Sequence, residues 1–227
     1  MNDAIVFADA PVLLVGGAHG DNRHLSRLLD EVETVVAADS GADWLAAVGR
    51  MPDALIGDLD SVSETTRAAL AEDRVHHIAE QDSTDFDKAV RSINAPLILG
   101  VGFLGGRVDH LMAALTVLAR YPDRAIVLVG DKDVVAHLPP SIDLPLEPGT
   151  RVSLYPLCAV EGTSTGLHWP IDGLLMSPDA RVGTSNRAEG AVRIRMHSAG
   201  MLIILPVSQR AALQRALLGA DGLWPAP

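Results

Sequence analysis

Short apolar runs alternate with segments of helical period from Pro11 to about Gly130. The runs predicted as strands are Val12–Val15, Thr34–Ala38, Ala54–Ile56, Val75–Ile78, Pro96–Leu99 and Ile126–Val129. The clearest helix is predicted over Asp109–Tyr121, where leucine and alanine recur at three- and four-residue intervals and form an apolar stripe. Strands that alternate with helices in this way predict an α/β fold, a parallel sheet with helices packed on its faces.

The pattern changes beyond Asp133, where prolines and glycines mark a linker or a set of turns before several extended runs. These runs are Arg151–Tyr155, Leu174–Met176, Ala191–His197 and Met201–Leu205. The segment Ala191–Met196 alternates apolar and basic residues, which is typical of a strand with one solvated face. We therefore predict two domains, an α/β domain over 1–135 and an antiparallel β domain over 136–227, with a short terminal helix at Gln209–Leu218.

The stretch Pro52–Ser61 joins an apolar strand to an acidic turn. Asp58 and Asp60 are two residues apart, so an extended backbone directs both carboxylates the same way. Two like charges this close require a cation. Ser61, with Glu64 three residues later, is predicted to form a capping box that starts the next helix. The acidic pair is thus expected at the carboxyl end of a strand, where open α/β sheets bind their ligands.

A second acidic segment, Gln81–Lys88, follows the next predicted strand. Thr84 is predicted as an N-cap, and Asp85 and Lys88 share one helix face at a spacing of three. Taken alone, this segment is explained by helix capping and by compensation of the helix dipole. Because it also follows a strand, Asp85 is predicted to join the first acidic pair at the same edge of the sheet. Three carboxylates without a partnering His or Cys favour a hard cation such as Mg²⁺, which takes further ligands from phosphates.

The third segment, Gly102–His110, combines three glycines with a basic and an acidic side chain. The glycines allow a close approach of the backbone to a ligand, and Arg107 offers a planar fork for phosphate oxygens. Asp109 is suited to capping the next helix, to orienting Arg107 or to binding a substrate hydroxyl. A tight turn before an ordinary capped helix explains the glycines but leaves Arg107 unexplained.

Weaker candidates lie in turns elsewhere. A glycine turn at Val15–Gly20 is suited to cradling phosphate, although such turns after strands are common. Asp39 follows the second strand, where a ribose contact, a metal-bound water and a helix cap all remain open. In the second half, Trp169 lies in a loop and is either partial core or a platform for a flat or cationic ring, with Ser185 and Asn186 supplying hydrogen bonds.

Charge and cysteine content narrow the classes of partner. The 227-residue chain has a formal net charge of -11, which disfavours nucleic acid and anionic membranes because both require a basic face. A phosphorylated ligand would therefore have to come with a metal. The single Cys158 gives neither a disulfide framework nor a thiolate cluster and fits a reducing cytoplasm. The start of the chain is unlike a secretory signal and no apolar run reaches membrane-spanning length, so we expect a cytoplasmic protein.

In order and spacing these segments resemble the motifs of the thiamine pyrophosphokinase family. The matching segments are Ala38–Ala42, Pro52–Asp53 followed by Ile56–Ser61, Asp82–Asp85 with Lys88, and Gly105–His110, and Thr184–Asn186 resembles the family's thiamine-side loop. The resemblance implies a Rossmann-like α/β domain that handles ATP, followed by a smaller β-sandwich domain that helps to hold thiamine. It also implies a homodimer, and transfer of the pyrophosphoryl group of ATP to the hydroxyethyl oxygen of thiamine, with Mg²⁺ as cofactor.

The same resemblance implies roles for individual residues. The catalytic set would be Asp58, Asp60, Asp85 and Asp109. The Mg²⁺ ligands would be Asp58, Asp60 and Asp85. The ATP and phosphate contacts would be Asp39, Lys88 and Arg107, and the substrate contacts Gln81, Trp169, Ser185 and Asn186. Two positions depart from the family pattern: Asp43 replaces a common asparagine, and Leu59 replaces a frequent phenylalanine.

Two other functions compete with this interpretation. Asp58–Val62 also resembles the opening motif of aspartyl-phosphate phosphatases and phosphotransferases, in which the first aspartate is the nucleophile. That motif normally follows the first strand of its domain, whereas here it follows the third, and the segment around Arg107 would have no task. A non-catalytic nucleotide or thiamine sensor is the other alternative, against which the retained acidic positions argue.

Overall fold

The computed structural model describes residues 4–18 and 20–226, which form a mixed α/β fold of two compact units. The first unit holds the described residues up to Val117 together with Leu128–Asp131, and the second holds Leu118–Val127 and the residues from Lys132 onward. Among the described residues, none of the helices has both the length and the apolar character needed to cross a bilayer.

The first unit is built on a sheet of parallel strands. Its strands are β2 (Val12–Val15), β3 (Thr34–Ala38), β4 (Ala54–Gly57), β5 (Val75–His77) and β7 (Ile98–Val101). A separate parallel pair joins β1 (Val6–Phe7) to β6 (Ile93–Asn94). Every residue of β2, β4 and β7 is buried, as expected for parallel strands covered on both faces.

Five helices connect these strands. They are α1 (Asn22–Leu29), α2 (Gly41–Ala47), α3 (Glu64–Ala68), α4 (Asp85–Ser92) and α5 (Val108–Arg120). The predicted N-cap of α4 is confirmed, because the Thr84 side chain accepts a hydrogen bond from the backbone N–H of Asp87. The predicted cap of α3 is wrong. Ser63 rather than Ser61 caps that helix and accepts from the N–H of Thr66, while Ser61 donates to the neighbouring Asp60.

The strand order reverses next to β2. The chain runs outward from β2 through β3 and β4 to β5, and then returns to place β7 on the other side of β2. The strand order therefore reverses between β2 and β7, and the carboxyl ends of strands at such a switch point are where open α/β sheets bind ligands.

The second unit is antiparallel. Its strands are β9 (Asp133–His137), β10 (Ser141–Leu144), β11 (Arg151–Pro156), β12 (Gly162–Leu167), β13 (Gly183–Met196) and β14 (Met201–Pro206), followed by α6 (Arg210–Leu218). The strand β8 (Ile126–Val129) divides between the two units. The long strand β13 pairs with β11 through its first residues and with β10 and β12 through its later ones.

Two expectations for the second half were wrong. Leu174–Met176 is not a strand, since Met176 makes only an isolated bridge with Val160. The proline-containing stretch expected to be a linker or turns includes the strand Ser141–Leu144, which pairs with β13. The alternation is confirmed from Val192 onward, because Val192, Ile194 and Met196 are buried and the two arginines between them are exposed, although Ala191 is exposed as well.

A buried histidine in the second unit predicts a pH-dependent stability. His137 accepts a hydrogen bond through Nε2 from the backbone N–H of Gly200, 2.8 Å away, and burial lowers its pKa from 6.5 to about 4. Between pH 6.5 and 4, His137 is therefore protonated in the unfolded chain but neutral in the folded chain. We expect the free energy of unfolding to fall between pH 6.5 and 4 by on the order of 3 kcal/mol from this group.

Urea unfolding at several pH values measures this effect. The His137→Gln variant, which keeps an acceptor but does not titrate, should lose that part of the pH dependence, whereas His197→Gln, at an exposed position, should keep it. Identical pH profiles for the wild type and His137→Gln would contradict the assignment.

Candidate active site

The predicted acidic segments of the first unit lie at one edge of its parallel sheet. Asp39 directly follows β3, Asp58 directly follows β4, and Asp85 begins α4 after β5. Gly57, the last residue of β4, allows their close approach. A Cβ atom there would lie 3.1 Å from Asp85 Oδ1 and 3.2 Å from Asp39 Cβ, so a side chain would press on both acidic residues.

Three carboxylates converge at this edge. Asp39, Asp58 and Asp60 each offer one oxygen, and these oxygens lie within 4.8 Å of one another. We call these three residues the carboxylate cluster. The prediction placed Asp85 in the third position, whereas the group brought together by the fold holds Asp39. Like charges repel at this spacing, so the arrangement is suited to a cation.

Asp39 is the most deeply buried member of the cluster, at 4% exposure. Its Oδ1 atom has no hydrogen-bond partner, and its pKa is raised, first by burial and then by repulsion from Asp85. An orphaned buried carboxylate oxygen is costly unless a further group satisfies it. The unpartnered oxygen and the all-carboxylate donor set fit a hard divalent cation.

Lys88 supplies a positive charge beside the cluster. Its side chain is 1% exposed, and Nζ donates to Asp85 Oδ1 at 3.1 Å and to Asp58 Oδ2 at 3.2 Å. Burial alone would lower the pKa of Lys88, but the hydrogen bonds from its ammonium to Asp85 and Asp58 outweigh burial and raise it. The ammonium group, predicted to contact phosphate, is thus engaged by two carboxylates.

The orientation of Asp58 is set by its neighbours. Oδ2 accepts from Gln81 Nε2 at 3.0 Å as well as from Lys88, while Oδ1 accepts from the Asp60 N–H at 3.3 Å. Burial opposes ionisation of Asp58, but the hydrogen bonds from Gln81 and Lys88 outweigh burial and lower its pKa. Asp58 therefore stays ionised at neutral pH. Gln81, predicted near the transferred group, contacts the cluster directly.

Asp43 anchors the segment that follows the cluster. Its carboxylate accepts from the backbone N–H of Ser63 at 2.9 Å and from the Ser63 hydroxyl at 2.5 Å. The start of α3 is thereby tied to α2, and the acidic turn between β4 and α3 is held at both ends. This contact gives a structural task to a residue whose departure from the family pattern left its role open.

Two glycine-containing loops meet at the switch point beside β2. The N–H of Gly16 donates to Val101 O at 2.8 Å, and the N–H of Ala18 donates to Gly102 O at 3.0 Å. Gly102 has φ +81, and a Cβ atom there would overlap the carbonyl oxygen of Gly16. The first glycine turn, which the sequence ranked as a weak candidate, therefore packs against the loop that leads to Arg107.

Arg107 and Asp109 form an exposed pair at the start of α5. The Arg107 side chain is 70% exposed and that of Asp109 is 62% exposed, with Nε 3.1 Å from Oδ1 and Nη2 2.5 Å from Oδ2. Hydrogen bonding from Arg107 lowers the pKa of Asp109 to about 2. Both side chains are accessible to a ligand, and a phosphate group would compete with Asp109 for the guanidinium fork.

In the second unit, Asn186 holds the loop that carries Trp169. Asn186 is buried, its Oδ1 accepts from the N–H groups of Trp169 and Arg187, and its Nδ2 donates to Trp169 O at 2.7 Å. Trp169 itself is 56% exposed, with the Arg187 guanidinium 5.6 Å from its ring centroid. Ser185 is exposed at φ +62. Trp169 and Ser185 are accessible to a ligand, whereas the amide of Asn186 is used by the protein.

Sequence reasoning missed two features of this site. The sequence left the role of Asp39 open between a ribose contact, a metal-bound water and a helix cap. Asp39 nevertheless lies directly after a buried strand, and the same feature identified Asp58. The anchoring of Ser63 by Asp43 had no signal, because the two residues are 20 positions apart and meet only in the fold.

The chain resembles known proteins in sequence. Residues 25–129 match the family model described as "Thiamin pyrophosphokinase, catalytic domain". The chain is 31% identical over 199 residues to thiamine pyrophosphokinase 3 of Oryza sativa subsp. japonica, and this match covers 72% of the chain and 74% of the rice protein.

Solved structures share its fold. A thiamin pyrophosphokinase from Geobacillus thermodenitrificans superposes with a TM-score of 0.70 at 27% identity, covering 89% of this chain and 99% of that one. The enzyme from Candida albicans gives a TM-score of 0.74 at 17% identity over 87% of this chain and 89% of that one, a likeness of fold alone. Because the match to the rice protein extends over more than two thirds of both chains, this chain belongs to the thiamine pyrophosphokinase family.

Proposed function

We propose that this protein transfers the pyrophosphoryl group of ATP to the hydroxyethyl oxygen of thiamine, giving thiamine diphosphate and AMP. The observation that carries the proposal is the carboxylate cluster at the edge of the parallel sheet, with one buried oxygen of Asp39 left unpartnered. Family membership supplies the substrates, and the cluster supplies a site for the cation that must accompany a triphosphate in so acidic a protein.

We propose that Asp39, Asp58 and Asp60 hold Mg²⁺. The bound ion would neutralise negative charge on the phosphate oxygens. Asp85, predicted as a ligand, serves in this proposal to pair with Lys88 and to hold the backbone N–H of Asp58, which donates to its Oδ1 at 3.2 Å. Asp85 would therefore help to fix the positions of the residues of the carboxylate cluster.

The residues around the switch point are proposed to bind the triphosphate of ATP. The glycine turn at Gly16–Ala18 and the loop at Gly102–Gly106 bring backbone groups to the switch point, and Arg107 offers an exposed guanidinium for phosphate oxygens. Asp109 would then orient Arg107 or a substrate hydroxyl. Such contacts position the reacting groups and stabilise developing charge, which are the main contributions to phosphoryl-type transfer.

In the reaction the hydroxyethyl oxygen of thiamine attacks the β-phosphorus, a new oxygen–phosphorus bond forms, and the hydroxyl proton passes to one of the aspartates of the catalytic set. The bond between the β-phosphorus and the oxygen that bridges it to the α-phosphorus breaks, and that oxygen leaves with AMP. Lys88 and Gln81 keep Asp58 ionised and oriented while this happens. Arg107 is proposed to balance the negative charge of the transferred group.

We further propose that the first unit is the Rossmann-like ATP domain and the second a β-sandwich domain that helps to hold thiamine. The parallel sheet with its switch point supports the first assignment, and the strand β13, which joins two antiparallel groups of strands, supports the second. We also propose that the protein forms a homodimer, as the family resemblance implies, and that the two domains divide at residue 135. A cytoplasmic location is proposed as well, and the free thiol of Cys158 is compatible with it.

Trp169 is proposed as the stacking platform for thiamine, with Ser185 beside it and Asn186 as the positioning residue. Replacing Trp169 by alanine should raise KM for thiamine by about 5- to 30-fold, because aromatic contacts to a flat cationic ring are worth about 1–2 kcal/mol. KM for ATP should change little. Initial-rate kinetics with each substrate varied in turn measure both values.

Trp224→Phe is the control. Trp224 donates a hydrogen bond to Leu138 O and is not proposed to contact thiamine, so its replacement should leave KM for thiamine unchanged. An unchanged KM for thiamine in Trp169→Ala would exclude Trp169 from the thiamine site.

The function itself is tested by incubating the protein with thiamine, ATP and Mg²⁺ and separating the products. Thiamine diphosphate with an equal amount of AMP is the expected result. Thiamine monophosphate with ADP would change the reaction to simple phosphoryl transfer. Release of inorganic phosphate, with trapping of the enzyme by phosphate mimics, would favour an aspartyl-phosphate mechanism, and binding of both substrates without product would favour a sensor.

A further inference from the structure

A compact polar network closes the loop between β5 and α4. Glu80 Oε1 accepts from Arg91 Nη2 at 2.7 Å and from the Ser83 hydroxyl at 2.5 Å, while Oε2 accepts from the Asp82 N–H at 3.0 Å. Arg91 Nη1 also reaches Ser83 Oγ at 3.4 Å. Because Arg91 lies on α4, the network fastens the loop to the helix that follows it.

This network differs from an ordinary surface ion pair. The side chains of Arg91 and Glu80 are only 22% and 35% exposed, and a backbone N–H and a hydroxyl share the same carboxylate. Hydrogen bonding from Ser83 and then from Arg91 lowers the pKa of Glu80 to about 2, so the carboxylate is ionised throughout the neutral range. Networks of this kind order a segment more firmly than an isolated exposed pair does.

The fastened loop carries Gln81, the residue next to Glu80. Gln81 donates to Asp58 Oδ2 at 3.0 Å, the same oxygen that Lys88 contacts at 3.2 Å. Gln81 is exposed, so its own packing does not hold it in place. The orientation of Asp58, and with it the carboxylate cluster, therefore depends on a loop that is anchored on its far side by Glu80, Ser83 and Arg91.

We propose that Glu80, Ser83 and Arg91 form a clasp that positions Gln81 against Asp58. The three are positioning residues, since none of their hydrogen bonds reaches the carboxylate cluster itself. Opening the clasp frees the loop, removes one of the two side-chain donors to Asp58 Oδ2, and lets that carboxylate rotate within the cluster.

The experiment compares the wild type with Arg91→Gln and Glu80→Gln, each of which removes one charge. Hydrogen exchange at the Asp82 amide should accelerate by about 10-fold or more, and Mn²⁺ affinity, measured by calorimetry on the protein alone, should fall by about 10-fold. Because the proposal rests on the proposed function for its kinetic consequence, kcat for thiamine pyrophosphorylation should also fall about 10-fold, with KM for thiamine unchanged.

Two further variants make the test specific. Arg91→Lys keeps the charge and should retain most of the Mn²⁺ affinity, and Arg193→Gln breaks a comparable pair with Asp143 and should leave both readouts unchanged. The double variant Glu80→Gln with Arg91→Gln should be no weaker in Mn²⁺ binding than either single variant, because each already opens the clasp.

The clasp is refuted if Arg91→Gln and Glu80→Gln bind Mn²⁺ as the wild type does, or if the Asp82 amide exchanges at its wild-type rate. A wild-type protein that does not convert thiamine would overturn the proposed function instead, while exchange and Mn²⁺ affinity would still decide on the clasp.

Discussion

Asp60→Asn is expected to lower kcat/KM for thiamine pyrophosphorylation by roughly 10²–10³-fold and to leave the thermal midpoint unchanged or slightly raised. Asp60 is an exposed member of the carboxylate cluster, so its replacement removes a charge that would hold the cation without opening a cavity. The asparagine can still accept the hydrogen bond from the Ser61 hydroxyl, which is 2.7 Å from Asp60 Oδ1. Removing one of three mutually repelling charges also relieves strain in the cation-free protein.

Steady-state kinetics at saturating Mg²⁺, with thermal unfolding of the same preparations, measure the two effects separately. Asp73→Asn is the matched control, because Asp73 is an exposed aspartate of the first unit that lies outside the cluster. Equal turnover by Asp60→Asn and Asp73→Asn would exclude Asp60 from the cation site.

Lys88→Met is expected to destabilise the protein by about 3 kcal/mol, which corresponds to a fall of roughly 6–12 °C in Tm for a chain of this size. Methionine nearly fills the space of the buried lysine but removes the cation that pairs with Asp58 and Asp85. Two carboxylates would then face each other beside a third, Asp39, whose pKa is already raised by burial and by Asp85. Breaking one partner of a buried pair costs more than the pair itself contributes.

Calorimetric or fluorescence-detected melting measures the change. Lys132→Met is the control, because Lys132 is exposed and should tolerate the same substitution with little effect. The double variant Lys88→Met with Asp85→Asn should recover part of the loss, since one of the two uncompensated charges is gone. A Tm for Lys88→Met equal to that of Lys132→Met would contradict the role assigned to Lys88.

Backbone strain among the described residues falls on segments that are proposed to bind the cation or the substrate. Outside glycine, positive φ values occur at Asp39 (φ 44), Leu59 (φ 64) and Ser185 (φ 62). Aspartate tolerates this region, but leucine does so at a cost, and such a conformation persists only when the surroundings impose it. At Leu59 the turn between Asp58 and Asp60 imposes it, so the spacing of the two carboxylates is maintained at the expense of local stability.

Much of the first unit was predictable from local pattern. Fully buried apolar runs predicted the parallel strands, the position directly after β4 identified Asp58, and the capping pattern at Thr84 identified the start of α4. Where one local signal competed with another, prediction failed. Ser61 and Ser63 offer the same hydroxyl to the same helix start, and the contact of Ser63 with Asp43, far away in sequence, favours Ser63. In the second half, the proline-containing stretch hid a strand because its pairing partner lies on β13.

Local pattern was enough to place acidic residues near the ends of the parallel strands, because burial of apolar runs and the geometry of helix caps depend on neighbours within a few positions. Which of those acidic residues meet depends on how the strands are arranged in the folded chain. Adjacency of β3 and β4 brings Asp39 to Asp58 and Asp60, while one turn of α4 carries Lys88 inward to pair with Asp85. The meeting of Asp39 with Asp58 thus follows from strand order, and the pairing of Lys88 with Asp58 follows from the packing of α4, and both depend on contacts between segments distant in the chain.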